Sequence, residues 1–230
     1  MIIVAEMNRL KGLSGDFDAG PDFFQAEFRI FGLLRYLSHA ETLVMFERSL
    51  RRSGIKVSYS RGFNPRPRIS LPLPRPVGIE SSVEMLTAEV EGGLGEPRCS
   101  SFRDRLNSVL PSGCEITDVK LFSRKSSVQP QAVRYSFCIR DGFEGDLNGR
   151  ADAFMQSESM VIERVRPGRA VKKVDVRGFI ESVVFSGRRM DVACRVSAGG
   201  QVRIDEIMRV LEIGQEMLEG PVTRVGVDWS

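Results

Sequence analysis

A single histidine, His39, occurs in 230 residues, and the four cysteines (Cys99, Cys114, Cys138, Cys194) stand apart, with no C-x-x-C pair and no histidine beside them. Zinc and cluster sites need gathered thiolates and imidazoles, so no metal site is expected, and no cofactor. One histidine also leaves nothing from which to build a Ser-His-Asp or Cys-His arrangement. No glycine loop of the phosphate-cradling or dinucleotide type occurs; Gly92-Gly93 and Gly199-Gly200 read as hairpin punctuation. No apolar run approaches a membrane span, and Met1-Ile2-Ile3-Val4-Ala5 lacks the basic and apolar regions of a signal peptide. The expectation is a cytoplasmic protein with free, mostly buried thiols. With 42% hydrophobic and 27% charged residues, the chain has ample core for one large or two small domains.

What is abundant is arginine, and it is unevenly placed. From Arg29 to Gly78 there are ten basic residues and two acids, a net of +8; the whole chain carries +3, so the remainder carries −5. Such polarity suits a face for nucleic acid, because each neutralised phosphate releases counterions and guanidinium groups bind phosphate bidentately. The competing reading is a solvated face kept for solubility. Within this segment, Ser38 and Glu41 have capping-box spacing, and Leu43, Phe46 and Leu50 recur at helical period. Arg51, Arg52 and Gly54 suit a helix C-terminus, so a helix from about Ala40 to Ser53 is expected, with His39 beside its cap.

The rest of the pattern predicts an α+β protein made of two ferredoxin-like (split βαβ) units in tandem. Residues 1–25 are read as a flexible leader. Strands are expected at Phe28–Leu37, Ile55–Ser60, Val83–Val90 and Cys114–Phe122, with a second helix at Cys99–Leu110. These make a first unit over 26–123. The polar tract 124–132 reads as a linker. The second unit, 133–230, is expected to hold strands at Val133–Ile139, Met160–Val165, Asp191–Val196 and Val222–Asp228. Its helices are expected at Gly149–Ser157 and Ile204–Leu211, with a short turn or helix within Lys172–Val184. A single larger α+β domain shares most of these elements.

The stretches Tyr36-Leu37-Ser38-His39-Ala40-Glu41, Tyr59 through Pro67 and Pro76-Val77-Gly78 resemble a bacterial family of radical-SAM-linked proteins, a domain of unknown function. Lys172 to Arg177 is a further family-like segment, and the resemblance spans about residues 28–228. It implies an accessory role beside a separate radical-SAM enzyme, near RNA (tRNA or rRNA) or ribosome modification, with no membrane. Two departures stand out: Glu41 where the family often has Asp, and Arg66 where many members have a second histidine. The chain also lacks the three clustered cysteines of a radical-SAM cluster.

The candidate binding residues are therefore Arg35, Ser38, His39, Glu41, Arg48, Arg51, Arg52, Tyr59, Arg61, Asn64, Arg66, Arg68, Lys172, Lys173 and Arg177. The leading expectation is an RNA-binding accessory module without catalysis; a protein-docking module for the radical-SAM partner is the alternative. His39 is the one candidate general base, for an endonuclease like those of the repeat-associated (RAMP) superfamily. Against that stands a histidine packed at a helix start. Phe63 is expected to plug the core under its turn rather than stack on a base, and Asn64 suits turn geometry as well as base contact. Glu80, Glu84, Glu89 and Glu91 read as solvated strand positions. A right-handed crossover would return Arg61–Pro67 beside His39, giving one cleft shared by His39 and Asn64 and rimmed by Arg35, Arg61, Arg66 and Arg68.

Overall fold

In a computed structural model, the described residues are 22–91, 98–122, 124, 127–165, 168, 170–197 and 199–230. Most of the expected leader, the Gly92-Gly93 pair and part of the expected linker lie outside them.

The described residues form a mixed α+β protein. In chain order they give β1 (Asp22–Ile30), α1 (His39–Arg52), β2 (Ile69–Ser70), β3 (Glu80–Val90), α2 (Arg98–Asn107), β4 (Cys114–Phe122) and β5 (Pro130–Cys138). There follow α3 (Glu144–Gln156), β6 (Val161–Arg164), β7 (Lys172–Asp175), β8 (Ile180–Ser186), β9 (Arg189–Arg195), α4 (Ile204–Val210) and β10 (Thr223–Trp229). One large sheet runs β4-β1-β3-β10-β5-β9-β8, with β2 also on β3; β6 and β7 form a separate hairpin. In the first half the order is thus β4-β1-β3-β2, and in the second β10-β5-β9-β8. The halves meet where β10 lies parallel to the start of β3, pairing Thr223 with Glu80 and Arg224 with Ser81.

Each half buries its own core. The first gathers Phe24, Phe28, Phe46, Leu50, Leu86 and Leu106 between the helices and one sheet face, with the Phe28 and Phe46 rings 4.7 Å apart. The second gathers Tyr135, Phe137, Phe154, Val192 and Ile207, and also draws in Leu73 and Ile79 from the connection before β3. Alternation along β1 leaves Phe23, Gln25 and Glu27 on the opposite, helix-free face of the sheet.

Several expectations are corrected. β1 starts at Asp22, inside the presumed leader, and stops at Ile30, because Gly32 takes φ +63° and turns the chain into a 3-10 helix over Gly32–Tyr36. β5 likewise begins at Pro130, inside the presumed linker. Ile55–Ser60 forms no continuous strand: Val57 bridges Val90, then the chain leaves the sheet and returns as β2. α3 begins at Glu144, a turn early, since Leu147, Ala151 and Phe154 bury one face despite two glycines. Lys172–Val184 holds the expected short turn, a 3-10 helix over Arg177–Phe179, and adds β7 and the start of β8 on either side of it. Of the cysteines, Cys114 and Cys194 are buried and burial pushes both thiols up to about 12; Cys99 is half-buried and Cys138 exposed.

A buried carboxylate, Glu206, ties the β6–β7 hairpin to α4. Arg164 on β6 meets both oxygens of Glu206 on α4 (2.6 and 2.8 Å), and the Arg203 amide donates to the same carboxylate at 2.9 Å. Burial alone raises the Glu206 carboxyl, but these hydrogen bonds outweigh it and hold the group below its ordinary value. A depressed folded-state value means stability that is present above the unfolded carboxylate range and lost as pH falls through the folded value. Glu206→Gln is therefore expected to cost about 2 kcal/mol at pH 7. The gap from the parent should narrow in urea unfolding as pH falls below the ordinary carboxylate range; a gap that does not change with pH would contradict the assignment.

Candidate nucleic-acid interface

The start of α1 is held from two sides. Ser38 and Glu41 form the expected capping box: the Ser38 amide and hydroxyl donate to Glu41 Oε2 (2.8 and 2.6 Å), and the Glu41 amide donates to Ser38 Oγ at 3.3 Å. Those bonds from Ser38 lower the Glu41 carboxyl below its ordinary value. Beneath, Arg75 is buried and its guanidinium donates to the carbonyls of Leu34, Arg35, Leu37, Pro76 and Ile79 (2.7–3.3 Å). Ser38, Glu41 and Arg75 are thus occupied in shaping the chain that presents His39.

His39 does not meet Asn64. Its Nδ1 is buried without a hydrogen-bond partner, and its ring lines a cavity of about 10 Å³ with Phe28, Thr42, Leu71, Leu73, Arg75 and Glu84. That space is about one water, far too small for a ribose and phosphate, so no RNA group reaches Nδ1 through it. The crossover argument holds for the strand but not for the turn. The chain does come back beside His39, but with Leu71 to Arg75, because the turn branches off before β2 rather than after it. Ser58 N donates to Glu89 O while Glu89 N donates to Arg68 O, so residues 59–67 loop out of the sheet at Glu89. Glu84, beside His39, lies five residues back along β3, roughly 17 Å away. Arg35 stays at the His39 end, 3.7 Å from Glu80 and stacked on Tyr36; Arg61, Arg66 and Arg68 stay with the turn.

The turn itself is a small hairpin. Tyr59 bridges Pro67, the Ser60 amide donates to Arg66 O (2.8 Å), and the Arg66 amide donates to Ser60 Oγ (3.0 Å). At its tip Phe63 is 105% exposed, which corrects its expected role as a core plug. The two bracing bonds satisfy the hairpin at its base, and no core residue reaches up to cover the ring. Arg61, Asn64 and Arg66 are exposed around it, and Tyr59 is 41% exposed below.

The +8 segment is not one continuous face. Arg29 pairs with Glu115, Arg51 with Glu47 (3.0 Å), Arg68 with Glu89 (2.8 Å) and Arg35 with Glu80, while Arg75 is internal. Among the described residues Arg48, Arg52, Lys56, Arg61 and Arg66 make no ion pair. Two of them, with Arg51, edge an open groove of about 1020 Å³ along α1, floored by Leu34, Leu37, Val44, Met45 and Leu110. In the second half Lys172 and Lys173 are exposed on β7, but Arg177 is half-buried and occupied: it donates to the carbonyls of Met155, Ser157 and Ile180 (2.8–3.2 Å) and closes the end of α3.

Sequence reasoning missed the deepest charged group. Glu84, expected to be solvated, is 5% exposed, and Arg224 on β10 is 0% exposed. Arg224 Nη1 donates to both Glu84 oxygens (2.8 and 3.1 Å), and Nη2 donates to Pro74 O (3.0 Å) and Tyr135 Oη (3.4 Å). Burial pushes the Glu84 carboxyl up while Arg224 pulls it back; for Arg224, burial pulls down, but Glu84 and Tyr135 together outweigh it and raise the group. The two senses oppose each other, and the contact of one guanidinium nitrogen with both carboxylate oxygens is that of an ionised pair. The signal was present in the register: Glu84 shares the core face of the sheet with Phe28.

These features define a mixed α+β protein whose two halves are joined through a buried ion pair and whose unpaired arginines within 29–78 lie on a turn and a groove, with no helix among the described residues long and apolar enough to cross a membrane. The chain belongs to the family described as an uncharacterized protein conserved in bacteria (DUF2344), whose model matches residues 24–209. No curated protein matches it.

Proposed function

We propose that the chain is a non-catalytic accessory module that binds RNA through the turn 59–67 and presents it to a separate radical-SAM enzyme. The observation that carries this reading is Phe63, wholly solvated between Arg61 and Arg66. An aromatic ring flanked by cations is the combination that grips single strands, the ring stacking on a base while the cations meet phosphates. The fold is read as two ferredoxin-like units in tandem, as in RAMP proteins. Its support is that each half orders its main strands fourth, first, third, second, and that each has its own core. The test is electrophoretic mobility of tRNA and rRNA fragments across a salt series. Binding at low salt that weakens as salt rises is expected; no binding at low salt, or binding indifferent to salt, would overturn the reading.

A docking module for the radical-SAM partner is the second reading, favoured by the apolar floor and arginine edge of the α1 groove. Co-purification with that enzyme in the presence of nuclease separates the two.

A further inference from the structure

A second hollow lies at the root of the turn, on the helix-free face of the first sheet. It measures about 410 Å³, the size of a small-ligand site. Its floor is the backbone of β1, β3 and β2, and Ser60 walls it where the turn leaves the sheet. Phe23 offers a ring on this face, opposite in sense to the buried Phe24. Gln25, Ser70 and Thr87 line it with neutral donors and acceptors, and the Gln25 amide makes no side-chain hydrogen bond to another described residue. The one cation, Arg68, is neutralised by Glu89 at 2.8 Å.

We propose that this hollow seats one unpaired nucleobase of a single-stranded RNA, an assignment that rests on the RNA reading above. The lining has no net charge, so it does not suit a phosphate. It does suit a planar polar ring that stacks on Phe23 and offers its Watson–Crick edge to Gln25. The phosphates on either side then lie toward Arg61 and Arg66, whose exposed guanidinium groups stand on the turn that walls the hollow. The turn supplies affinity, and the hollow supplies base preference.

The experiment measures binding of ten-nucleotide oligoadenylate, oligouridylate and oligocytidylate to the whole chain and to Gln25→Leu and Gln25→Glu. The parent should prefer one homopolymer by about tenfold or more, as a bidentate base contact does. Gln25→Leu should erase that spread while keeping the salt dependence. Gln25→Glu, which turns a donor into an acceptor, should change the ranking. Variants are compared only after unfolding curves superimpose on the parent's. If the parent binds all three equally, or Gln25→Leu weakens all three by the same factor, the base-seat assignment is overturned while the RNA reading stands. If the parent binds none at low salt, the RNA reading fails and the assignment with it.

Discussion

Arg224→Ala is expected to lower the unfolding free energy by about 3–5 kcal/mol, because it leaves the Glu84 carboxylate buried without a partner. The same substitution removes the donors to Pro74 O and Tyr135 Oη, so the connection before β3 loses its tie to the second half. The only tryptophan, Trp229, lies on the same strand β10 and packs against the second core, so its fluorescence in urea follows the unfolding of that half. Glu84→Ala should cost a similar amount. Replacing both residues by methionine should recover most of the loss, since an apolar pair of like volume has no desolvation penalty. Single variants within about 1 kcal/mol of the parent would mean that the pair does not hold the halves together.

Phe63→Ala is expected to weaken RNA binding by roughly 5- to 150-fold, the range for loss of one base–aromatic stack of about 1–3 kcal/mol. Its melting temperature should match the parent's, because a ring at 105% exposure buries nothing in the folded chain. That separation of affinity from stability is what distinguishes a contact residue from a core residue. Arg61→Ala and Arg66→Ala should each reduce the slope of log affinity against log salt by about 1, as expected for one phosphate contact apiece. Undiminished affinity in Phe63→Ala would remove the turn from the interface.

The helix α1 was legible because its signals are local. A capping box, an apolar stripe and a cationic end act within one or two turns of chain, and the observed His39–Arg52 differs from expectation by one residue at each end. β4 was read to the residue, bounded by Pro111 and Gly113 before it and a polar tract after. The interrupted strand at Ile55–Ser60 was not legible. Alternation shows that a segment can pair, but only the partner β3 determines that pairing stops at Glu89 and resumes at Arg68.

The candidate site divides in the same way. The sequence by itself determined that ten basic residues, Asn-Pro-Arg-Pro and the single histidine fall within fifty residues. It could not determine which arginines are free. Counting charge along a segment ignores the acids that folding brings from outside it: Glu80, Glu89 and Glu115 answer Arg35, Arg68 and Arg29. Arg75, which is buried, and Arg177, which is half-buried, spend their guanidinium groups on backbone carbonyls. Tertiary structure alone put Phe63 in solvent and Glu84 in the core, because burial depends on which face of a sheet another element covers. Here the helices cover the face of Phe28 and Glu84, and β10 brings Arg224 to neutralise the carboxylate left beneath them.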